Sequence, residues 1–397
     1  MAALTRDRKH PADDTLRAAG PEFRFGEGKI SGVLGVFLGW LGLGAVVALH
    51  FPEYFSTPDL RASYPMEVFR LVIGVVLFGA LAFATVSLVL SRRKSRGLFG
   101  LALAGLAVAL GGAGVPIEGP VPERPYLALD WFLLSLAGLA LVFVPLERLF
   151  RRLPQRVFRP GWRTDLAHFG VSHLLVQVTV LLTMLPATVL FHWAVSDRFQ
   201  AAVAAQPVWL QFVEALFAAD MFAYLAHRAF HQVPFLWRFH QIHHSSEQLD
   251  WLAGSRLHVV DVVVTRAFGF IPLYVIGFAP AAIVAYLTWA SFQAVFIHSN
   301  LRFRFGPLRY LLATPQFHHW HHSATLYDKN FAVHLPVIDK LFGTYHLPRD
   351  EWPERYGIEG SPVPDGYVRQ LVYPLAPQVR GEPPASASPS AETAPNP

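Results

Sequence analysis

Long apolar blocks constrain this 397-residue chain more than any other feature of its sequence. Only 15% of its residues are charged and 53% are hydrophobic, whereas soluble domains carry about a quarter charged residues. Each block is long enough to cross a bilayer as a helix, which takes about 20 residues. The blocks begin near Lys29 and then cover residues 67–91, 98–117, 126–146, about 171–195 and 208–226. We therefore predict an all-α integral membrane protein, built as a multi-span helical bundle.

Basic clusters between the blocks predict the orientation of the bundle. RRKSR (92–96) follows the second block, and RRLPQR (151–156) follows the fourth. Positive residues favour the cytoplasmic side of a membrane. With both clusters on that side the spans alternate consistently, the N-terminus is cytoplasmic, and the sixth block returns the chain to the cytoplasm at His227.

A seventh apolar stretch, residues 267–297, is longer than one crossing requires. GFAP at 277–280 interrupts it, and glycine and proline commonly break helices. We predict a helical hairpin that returns His298 to the same side of the membrane as His227.

The chain contains no cysteine, which excludes disulfides, thiolate-ligated haem, cysteine-held iron–sulfur clusters and a cysteine nucleophile. A bound metal would therefore have nitrogen and oxygen ligands. The net charge of +5 does not indicate nucleic-acid binding, because the arginines lie at the ends of apolar blocks, where they orient membrane helices.

Histidines are concentrated in one region, since eleven of the 18 lie between residues 227 and 322. They form one H-x-x-x-H motif and two H-x-x-H-H motifs, and positions three or four apart share one face of a helix. The motifs comprise His227 and His231, then His240, His243 and His244, and last His318, His321 and His322; the lone residues are His258, in SRLH, and His298, in HSN. We predict that all ten bind metal and that His319 points elsewhere.

The number of imidazoles predicts two metal ions. The three motifs supply eight and His298 a ninth, whereas one ion takes four to six ligands. Imidazole suits iron, copper, nickel and zinc, so the ligand type leaves the metal open. Histidines that faced lipid headgroups or sensed pH would not need matched spacings. A metal transporter would distribute them across the membrane depth, whereas these lie near the ends of the apolar blocks.

Two kinds of chemistry remain open for a histidine-rich dimetal site at a bilayer surface. Zinc could activate water for lipid hydrolysis. A redox-active pair could reduce dioxygen and oxidise an unactivated C–H bond of a lipid. Hydrolytic dimetal sites usually include bridging carboxylates, and between His227 and His322 the only acids are Glu247, Asp250 and Asp261. This scarcity favours oxidation, with a zinc-dependent membrane lipid hydrolase as the alternative.

Four segments of the chain, taken in order, resemble the motifs of the fatty acid hydroxylase / sterol desaturase superfamily. They are HRAFH, HQIHH, HSN and FHHWHH. Within it, bacterial sterol desaturase family proteins and the alkylglycerol monooxygenase group are most similar. The match is strengthened by a longer pattern that contains the first motif, D-x-x-x-Y-x-x-H-R-x-x-H, which starts at Asp220. YDKNFAVHLPVIDKLFGTYH resembles the family segment N-Y-G … W-D-x-L-F-G-T-Y, with Phe331 and Ile338 at two aromatic positions. SRLH resembles R-x-H-P at His258, with valine in place of proline. The resemblance covers roughly residues 160–350.

The resemblance implies a membrane-bound non-haem diiron oxygenase with a cytoplasmic-facing site. It would hydroxylate or desaturate a C–H bond of an acyl, alkyl or sterol lipid with dioxygen and external electrons. The motif histidines and His298 would hold two iron ions, with zinc possible in purified protein. Asp220 would orient a ligand imidazole, and Asn330 and Asp339 would brace the C-terminal cap.

The chain has no haem, flavin or dinucleotide-binding motif. Its electron donor would therefore be a separate cytochrome, ferredoxin or similar reductase system. Hydroxylation, desaturation and ether cleavage through hydroxylation beside the ether oxygen cannot be separated by sequence, because the outcome depends on which hydrogen meets the oxidant.

Four regions are predicted, in a protein of the bacterial inner membrane. They are a polar N-terminal segment (1–29), a four-helix transmembrane region (30–150), a catalytic domain like that of the superfamily (160–350) and a disordered tail (377–397). The first four spans do not contribute to the resemblance. The other histidines after residue 150 are expected to be structural or interfacial; they are His168, His173, His192, His334 and His346.

Overall fold

The computed structural model describes residues 26–63, 65–116, 125–349, 351–360 and 362–377. Most of the predicted polar segment and nearly all of the predicted disordered tail lie outside the described residues. The chain divides into two compact units. Unit 1 comprises Met1–Ala140 and Leu153–Val157, and unit 2 comprises Leu141–Arg152 and Phe158–Pro397.

The helices of unit 1 are long and apolar. They are α1 (Lys29–His50), α2 (Met66–Leu90) and α3 (Ser95–Ala109), with two short helices, Pro52–Phe55 and Pro58–Ser63, between α1 and α2. Glycines allow α1 to α3 to approach closely, because a Cβ at Gly35 would lie 2.8 Å from the backbone nitrogen of Ala84, and one at Gly100 would lie 3.0 Å from the carbonyl carbon of Gly35. Small residues at helix crossings are typical of membrane bundles. α4 (Leu129–Leu149) passes from unit 1 into unit 2.

The remaining helices belong to unit 2. They are α5 (Trp162–Leu174), α6 (Val176–Leu190), α7 (Asp197–Ala204), α8 (Val208–Gln232), α9 (Pro234–His244), α10 (Val259–Ile276), α11 (Pro280–Phe296), α12 (Pro315–His321), α13 (Pro336–Leu341) and α14 (Tyr367–Val372). α8 is central, since α9, α10 and α11 all pack against it. Within the described residues, β pairing is limited to two isolated bridges, so the predicted all-α architecture is confirmed.

Six helical segments of the described chain are long and apolar enough to cross a membrane. They are α1, α2, Ser95–Gly114, α4, α8 and α10. α5 and α6 pass the same test together but bend by 69° at their junction. The prediction of an integral membrane protein is confirmed, whereas the fifth block is not the single helix of residues 171–195 that we expected. No glycine or proline marks this bend; buried Asp165 holds α5 to two arginines, while α6 packs on α10.

The predicted hairpin is present, with its break at the expected position. α10 ends at Ile276, Gly277 adopts a left-handed conformation with φ of +76°, and α11 starts at Pro280. α10 begins eight residues earlier than the apolar pattern indicated. Gly254, before α10, lies directly beside His298, after α11. The two outer ends of the hairpin therefore return to the same place.

Candidate metal centre

Helices α8 and α9 carry the first two histidine motifs. His227 and His231 lie in the last turns of α8, on one face of the helix. Val233 is extended and separates α8 from α9, which starts at Pro234, a residue suited to the first position of a helix. The break turns α9 so that its histidines meet those of α8, and the Nε2 atoms of His227 and His240 lie 3.1 Å apart.

His298 and the last histidine motif come from later parts of the chain, around α11 and α12. His298 lies just after α11, and its Nδ1–H donates to the Ala294 carbonyl at 2.7 Å. α12 begins at Pro315, and the Thr314 hydroxyl caps it by accepting from the Phe317 N–H at 3.4 Å. The short helix then presents its imidazoles to those of α9.

Nine of the ten predicted ligands meet in two buried groups. Each residue offers one ring nitrogen, and within a group these atoms all lie within 4.8 Å of one another. The five-histidine group consists of His227, His231, His240, His244 and His321; the four-histidine group consists of His243, His298, His318 and His322. His243 and His244 are adjacent in sequence but belong to different groups. Each group could hold one metal ion.

Hydrogen bonds at Nδ1 determine which ring nitrogen carries the lone pair in two facing members of the five-histidine group, His227 and His240. His227 Nδ1–H donates to the Phe331 carbonyl at 2.7 Å, and His240 Nδ1–H donates to the Asp261 carboxylate at 2.6 Å. Both Nε2 atoms are therefore acceptors, although they face each other at 3.1 Å. Two lone pairs so close repel each other unless a cation lies between them, so the geometry fits a bound metal ion.

The four-histidine group has the same arrangement. His243 Nδ1–H donates to the Arg256 carbonyl at 3.1 Å, and the Nε2 atoms of His243 and His298 face each other at 3.3 Å. The Nε2 atoms of His318 and His322 lie 3.0 and 3.2 Å from that of His298. Four buried ring nitrogens thus converge on one point. A metal ion would satisfy nitrogens whose burial is otherwise costly.

Burial keeps these imidazoles neutral. It lowers the pKa of His298 to about 4. It also holds the pKa of His243, His244 and His318 well below the usual value, and neighbouring imidazoles add to the effect. Neutral imidazole is the form that offers a lone pair to a metal.

Asp261 is the carboxylate that orients an imidazole, and sequence reasoning did not assign it this role. Its Oδ2 accepts from His240, while its Oδ1 accepts from the Thr265 hydroxyl at 3.1 Å. Asp261 lies in the first turn of α10, in the apolar run VVDVVV. An acid inside an otherwise apolar span was the signal that could have identified it.

Asp220, predicted to orient a ligand imidazole, contacts backbone instead. Its carboxylate accepts from the N–H groups of Val333, His334 and Leu335 at 3.0, 3.1 and 2.7 Å. It therefore tethers the segment before α13 to α8. This segment follows Phe331, whose carbonyl fixes His227, so Asp220 supports the group at a distance.

Asn330 and Asp339 both hold the cap around α12 and α13. Asn330, with φ of +59°, donates from Nδ2 to the carbonyls of Phe317 and His346 at 2.8 and 2.6 Å. Asp339 accepts from the Phe331 N–H at 2.8 Å and from the Thr344 hydroxyl at 2.6 Å. Both side chains thus bond to the backbone of the segment that includes α12 and α13.

The structure does not bring His258 into either group. Its Nδ1 accepts from the Val260 N–H at 3.1 Å and so caps α10, and its Nε2–H donates to the Leu371 carbonyl at 3.0 Å. Both ring nitrogens are occupied, which leaves none for a metal.

His319 points away from the groups, as expected, and its Nδ1 lies 2.8 Å from the Tyr356 hydroxyl.

A buried ionic network supports the four-histidine group from the side of α5. Asp165 accepts from Arg159 and from Arg256 at 2.6 Å each, and Arg159 also donates to Asp250 at 2.7 Å. The two positive and two negative side chains pair with each other. The network fixes Arg256, whose carbonyl accepts the Nδ1–H of His243.

The residues of this site match a known protein family. A family model described as fatty acid hydroxylase matches residues 212–344, which include all nine grouped histidines. The ornithine lipid hydroxylase OlsE of Rhizobium tropici is 36% identical over 179 residues, which are 44% of this chain and 54% of that protein.

Human and plant proteins match a shorter region. Alkylglycerol monooxygenase from Homo sapiens is 32% identical over 139 residues, 34% of this chain and 31% of that protein. A very-long-chain aldehyde decarbonylase from Oryza sativa subsp. japonica is 31% identical over 143 residues, 33% of this chain and 22% of that protein. The chain thus spans about half the length of these relatives, or less, and no solved structure matches it significantly. The resemblance carried by the histidine motifs is confirmed, because residues 212–344 match the fatty acid hydroxylase family model.

Proposed function

We propose that this protein is a membrane-bound non-haem diiron oxygenase that hydroxylates, or desaturates, a C–H bond of a lipid. The observation that carries the proposal is the pairing of Nε2 lone pairs in two groups of buried imidazoles. The names of the relatives, a lipid hydroxylase and an alkylglycerol monooxygenase, support a lipid substrate. Two bound irons would supply the redox chemistry that activates dioxygen.

The residues of the chain would hold the metals, orient them and exclude water. Each Nδ1 hydrogen bond fixes an imidazole plane before a metal arrives, which is how surrounding groups tune ligand geometry. The Phe331 ring lies 5.7 Å from the ring of His227 and 5.1 Å from that of His231, and so covers the five-histidine group with apolar surface. This apolar cover would keep water away from the histidines and from any metal that they hold.

The ligand set favours the oxygenase over a zinc-dependent lipid hydrolase. Within the described residues, neither group includes a carboxylate. The nearest acid, Asp261, is bonded to the far nitrogen of His240, where it cannot bridge two metals. Hydrolytic dimetal sites use such bridges to share an activated water.

The setting of the reaction follows from the basic clusters and the missing cofactor motifs. We place the protein in the bacterial inner membrane, with the metal centre facing the cytoplasm and the catalytic domain spanning residues 160–350. Electrons come from a separate cytochrome, ferredoxin or similar reductase, and the lipid enters from the bilayer. The protein does not bind nucleic acid.

Metal content per chain tests the proposal. The full-length protein, purified in detergent from iron-replete cells, should hold about two irons, one for each group. His231→Ala and His318→Ala each remove a ligand from a different group, so each should lower the content to about one. His192→Ala removes a histidine outside both groups and should leave two.

Dioxygen uptake with a chemical reductant should accompany iron and disappear in the double variant of His231 and His318. Two zinc ions that persist in iron-replete growth, without dioxygen uptake, would favour the hydrolase. A wild-type protein with no metal would overturn both readings.

A further inference from the structure

Two short helices of unit 2 carry large apolar side chains on their surface. One is a 3₁₀ helix, Gly306–Tyr310, which lies between α11 and α12, and the other is α13; the two contact each other. The cap patch, as we call it, consists of the exposed apolar and aromatic residues on these helices or directly after them: Leu308, Tyr310, Leu311, Val337, Leu341 and Phe342. Leu311 and Leu341 are 65% and 66% exposed. A contiguous apolar surface of this kind indicates a contact with a protein or a membrane.

Aromatic contacts join both parts of the cap patch to the ends of apolar helices. Phe305, directly before the 3₁₀ helix, packs against Phe296, the last residue of α11, with ring centroids 5.6 Å apart. Phe342 stacks at 4.9 Å on Tyr224, which lies near the end of the apolar block of α8. The ends of apolar helices are where a protein meets the bilayer surface. The cap patch therefore lies beside the membrane.

Two cations lie within the cap patch. The Nζ atom of Lys340 lies 5.0 Å from the centre of the Tyr310 ring and 4.9 Å from that of the Tyr345 ring. The guanidinium carbon of Arg309 lies 5.0 Å from the same Tyr310 ring, and its Nη2 donates to the Tyr310 hydroxyl at 2.9 Å.

The partners of these two cations are neutral. Among the described residues, neither Arg309 nor Lys340 forms an ion pair with a carboxylate. Asp339, next to Lys340 in sequence, is buried and accepts from the backbone N–H groups of Phe331 and Ala332. The positive charge of the patch is thus left for an external anion.

We propose that the cap patch rests on the membrane surface, with its apolar side chains among the acyl chains and with Arg309 and Lys340 bound to the phosphates of anionic lipids. Basic residues beside tyrosines and leucines are typical of helices that lie in the headgroup layer, and unpaired cations match a negatively charged bilayer. An acidic protein would match the cations as well, but the contacts with the ends of α8 and α11 favour the bilayer. The inference goes beyond the proposed function and does not depend on bound metal.

The depth of the cap patch tests the membrane contact. Because the chain contains no cysteine, Leu311→Cys and Leu341→Cys would each carry a single nitroxide spin label, in full-length protein in nanodiscs of phosphatidylcholine and phosphatidylglycerol. Both labels should collide more with oxygen, which dissolves in the bilayer, than with a water-soluble nickel complex. Glu354→Cys, at an exposed polar position of unit 2, should show the reverse. Equal access of nickel to all three labels would overturn the proposal and indicate a protein partner instead.

Lipid binding tests the role of the two cations. Native mass spectrometry of the full-length protein in a neutral detergent would compare dioleoylphosphatidylglycerol with dioleoylphosphatidylcholine. Arg309→Gln and Lys340→Gln should each weaken binding of the anionic lipid by about 5-fold, the effect of one cation near an anionic surface. Binding of the phosphatidylcholine should not change. The double variant Arg309→Lys and Lys340→Arg keeps both charges and should bind like the wild type.

Arg163→Gln is the matched control for Arg309→Gln. Arg163 is an exposed arginine outside the cap patch that also lies over an aromatic ring, 5.6 Å from the centre of Trp162. Its loss should leave binding of the phosphatidylglycerol unchanged. Equal losses in Arg163→Gln and Arg309→Gln would show an effect of general surface charge and would overturn the assignment of the two cations.

Discussion

The Asp261 carboxylate holds His240 through one short hydrogen bond, and this contact makes a prediction at the scale of a single residue. Asp261→Asn keeps the size of the side chain but removes its charge, so the Nε2 atom of His240 becomes a weaker ligand. We expect metal affinity to fall by about 10- to 100-fold, measured by competition with a chelator.

Thr265→Val is the matched control for Asp261→Asn. It removes the hydrogen bond to the other carboxylate oxygen and leaves the charge in place. Metal affinity should then change little. Equal losses in the two variants would show that the carboxylate acts through packing and not through His240.

His258 allows a second prediction, because it tests the one ligand assignment that the geometry does not support. Asn is a good helix cap, so His258→Asn should keep the bond to the Val260 N–H and lose the one to Leu371. The variant should retain its full metal content by elemental analysis. Loss of one metal per chain would restore His258 as a ligand.

Local sequence predicts grouped histidines where the spacing repeats, and it does not distinguish between histidines that stand alone. The three motifs identified eight grouped histidines because positions three or four apart share a helix face. His298 and His258 have no such partner, and only the fold separates them, since one follows α11 into the four-histidine group and the other caps α10. Likewise, Asp220 and Asp261 are both acids near histidine motifs, and backbone geometry decides which one reaches an imidazole.

At the scale of elements, apolar length predicted the helices well and their ends less well. α8 continues to Gln232, well past the end of its apolar block, because its last turns are filled by histidines that are buried in the site. Hydropathy counts those residues as polar and ends the span early. The bend between α5 and α6 escaped prediction for a different reason, since one of the two contacts of Asp165 that hold α5 is with Arg256, 91 positions away in sequence.

The hairpin between α10 and α11 depends on Gly277. Its φ of +76° is unfavourable for any other residue, and a Cβ there would lie 2.4 Å from the Gln200 side chain. Gln200 is itself held by the carbonyls of Tyr274 and Val275 at 2.9 and 3.2 Å. Gly277→Ala should therefore lower the free energy of unfolding by about 1–2 kcal/mol or more.

Thermal unfolding in detergent would measure the effect of Gly277→Ala. Gly105→Ala, in α3, is the control, because a Cβ there meets nothing within 4 Å and alanine favours helix by up to about 1 kcal/mol. The control should be neutral or stabilising. A Gly277→Ala protein as stable as the control would mean that the turn can rearrange without cost.

At the scale of the whole molecule, the metal centre joins parts of the chain that are far apart in sequence. The five-histidine group takes its residues from α8, α9 and α12. The four-histidine group takes His243 from α9, His298 from two residues after α11, His318 from α12 and His322 from just after α12. The sequence predicted the ligands motif by motif, but each group combines histidines from more than one motif. His243 and His244, for example, belong to one motif and to different groups. Such a division depends on how the helices meet, which spacing alone does not determine.

Removing bound metals should therefore destabilise unit 2 as a whole. Without cations, paired Nε2 lone pairs such as those of His227 and His240 repel one another across a buried space, and any ion that binds only the folded state adds stability by mass action. For an ion present at about 100 times its dissociation constant, this amounts to about 2.7 kcal/mol. In thermal unfolding, the Tm should be clearly lower with a chelator than without it.

The double variant of His231 and His318 is the control, because it should bind little metal. It should unfold at the same temperature in both conditions. A chelator effect of equal size in that variant would show that the chelator acts elsewhere in the protein.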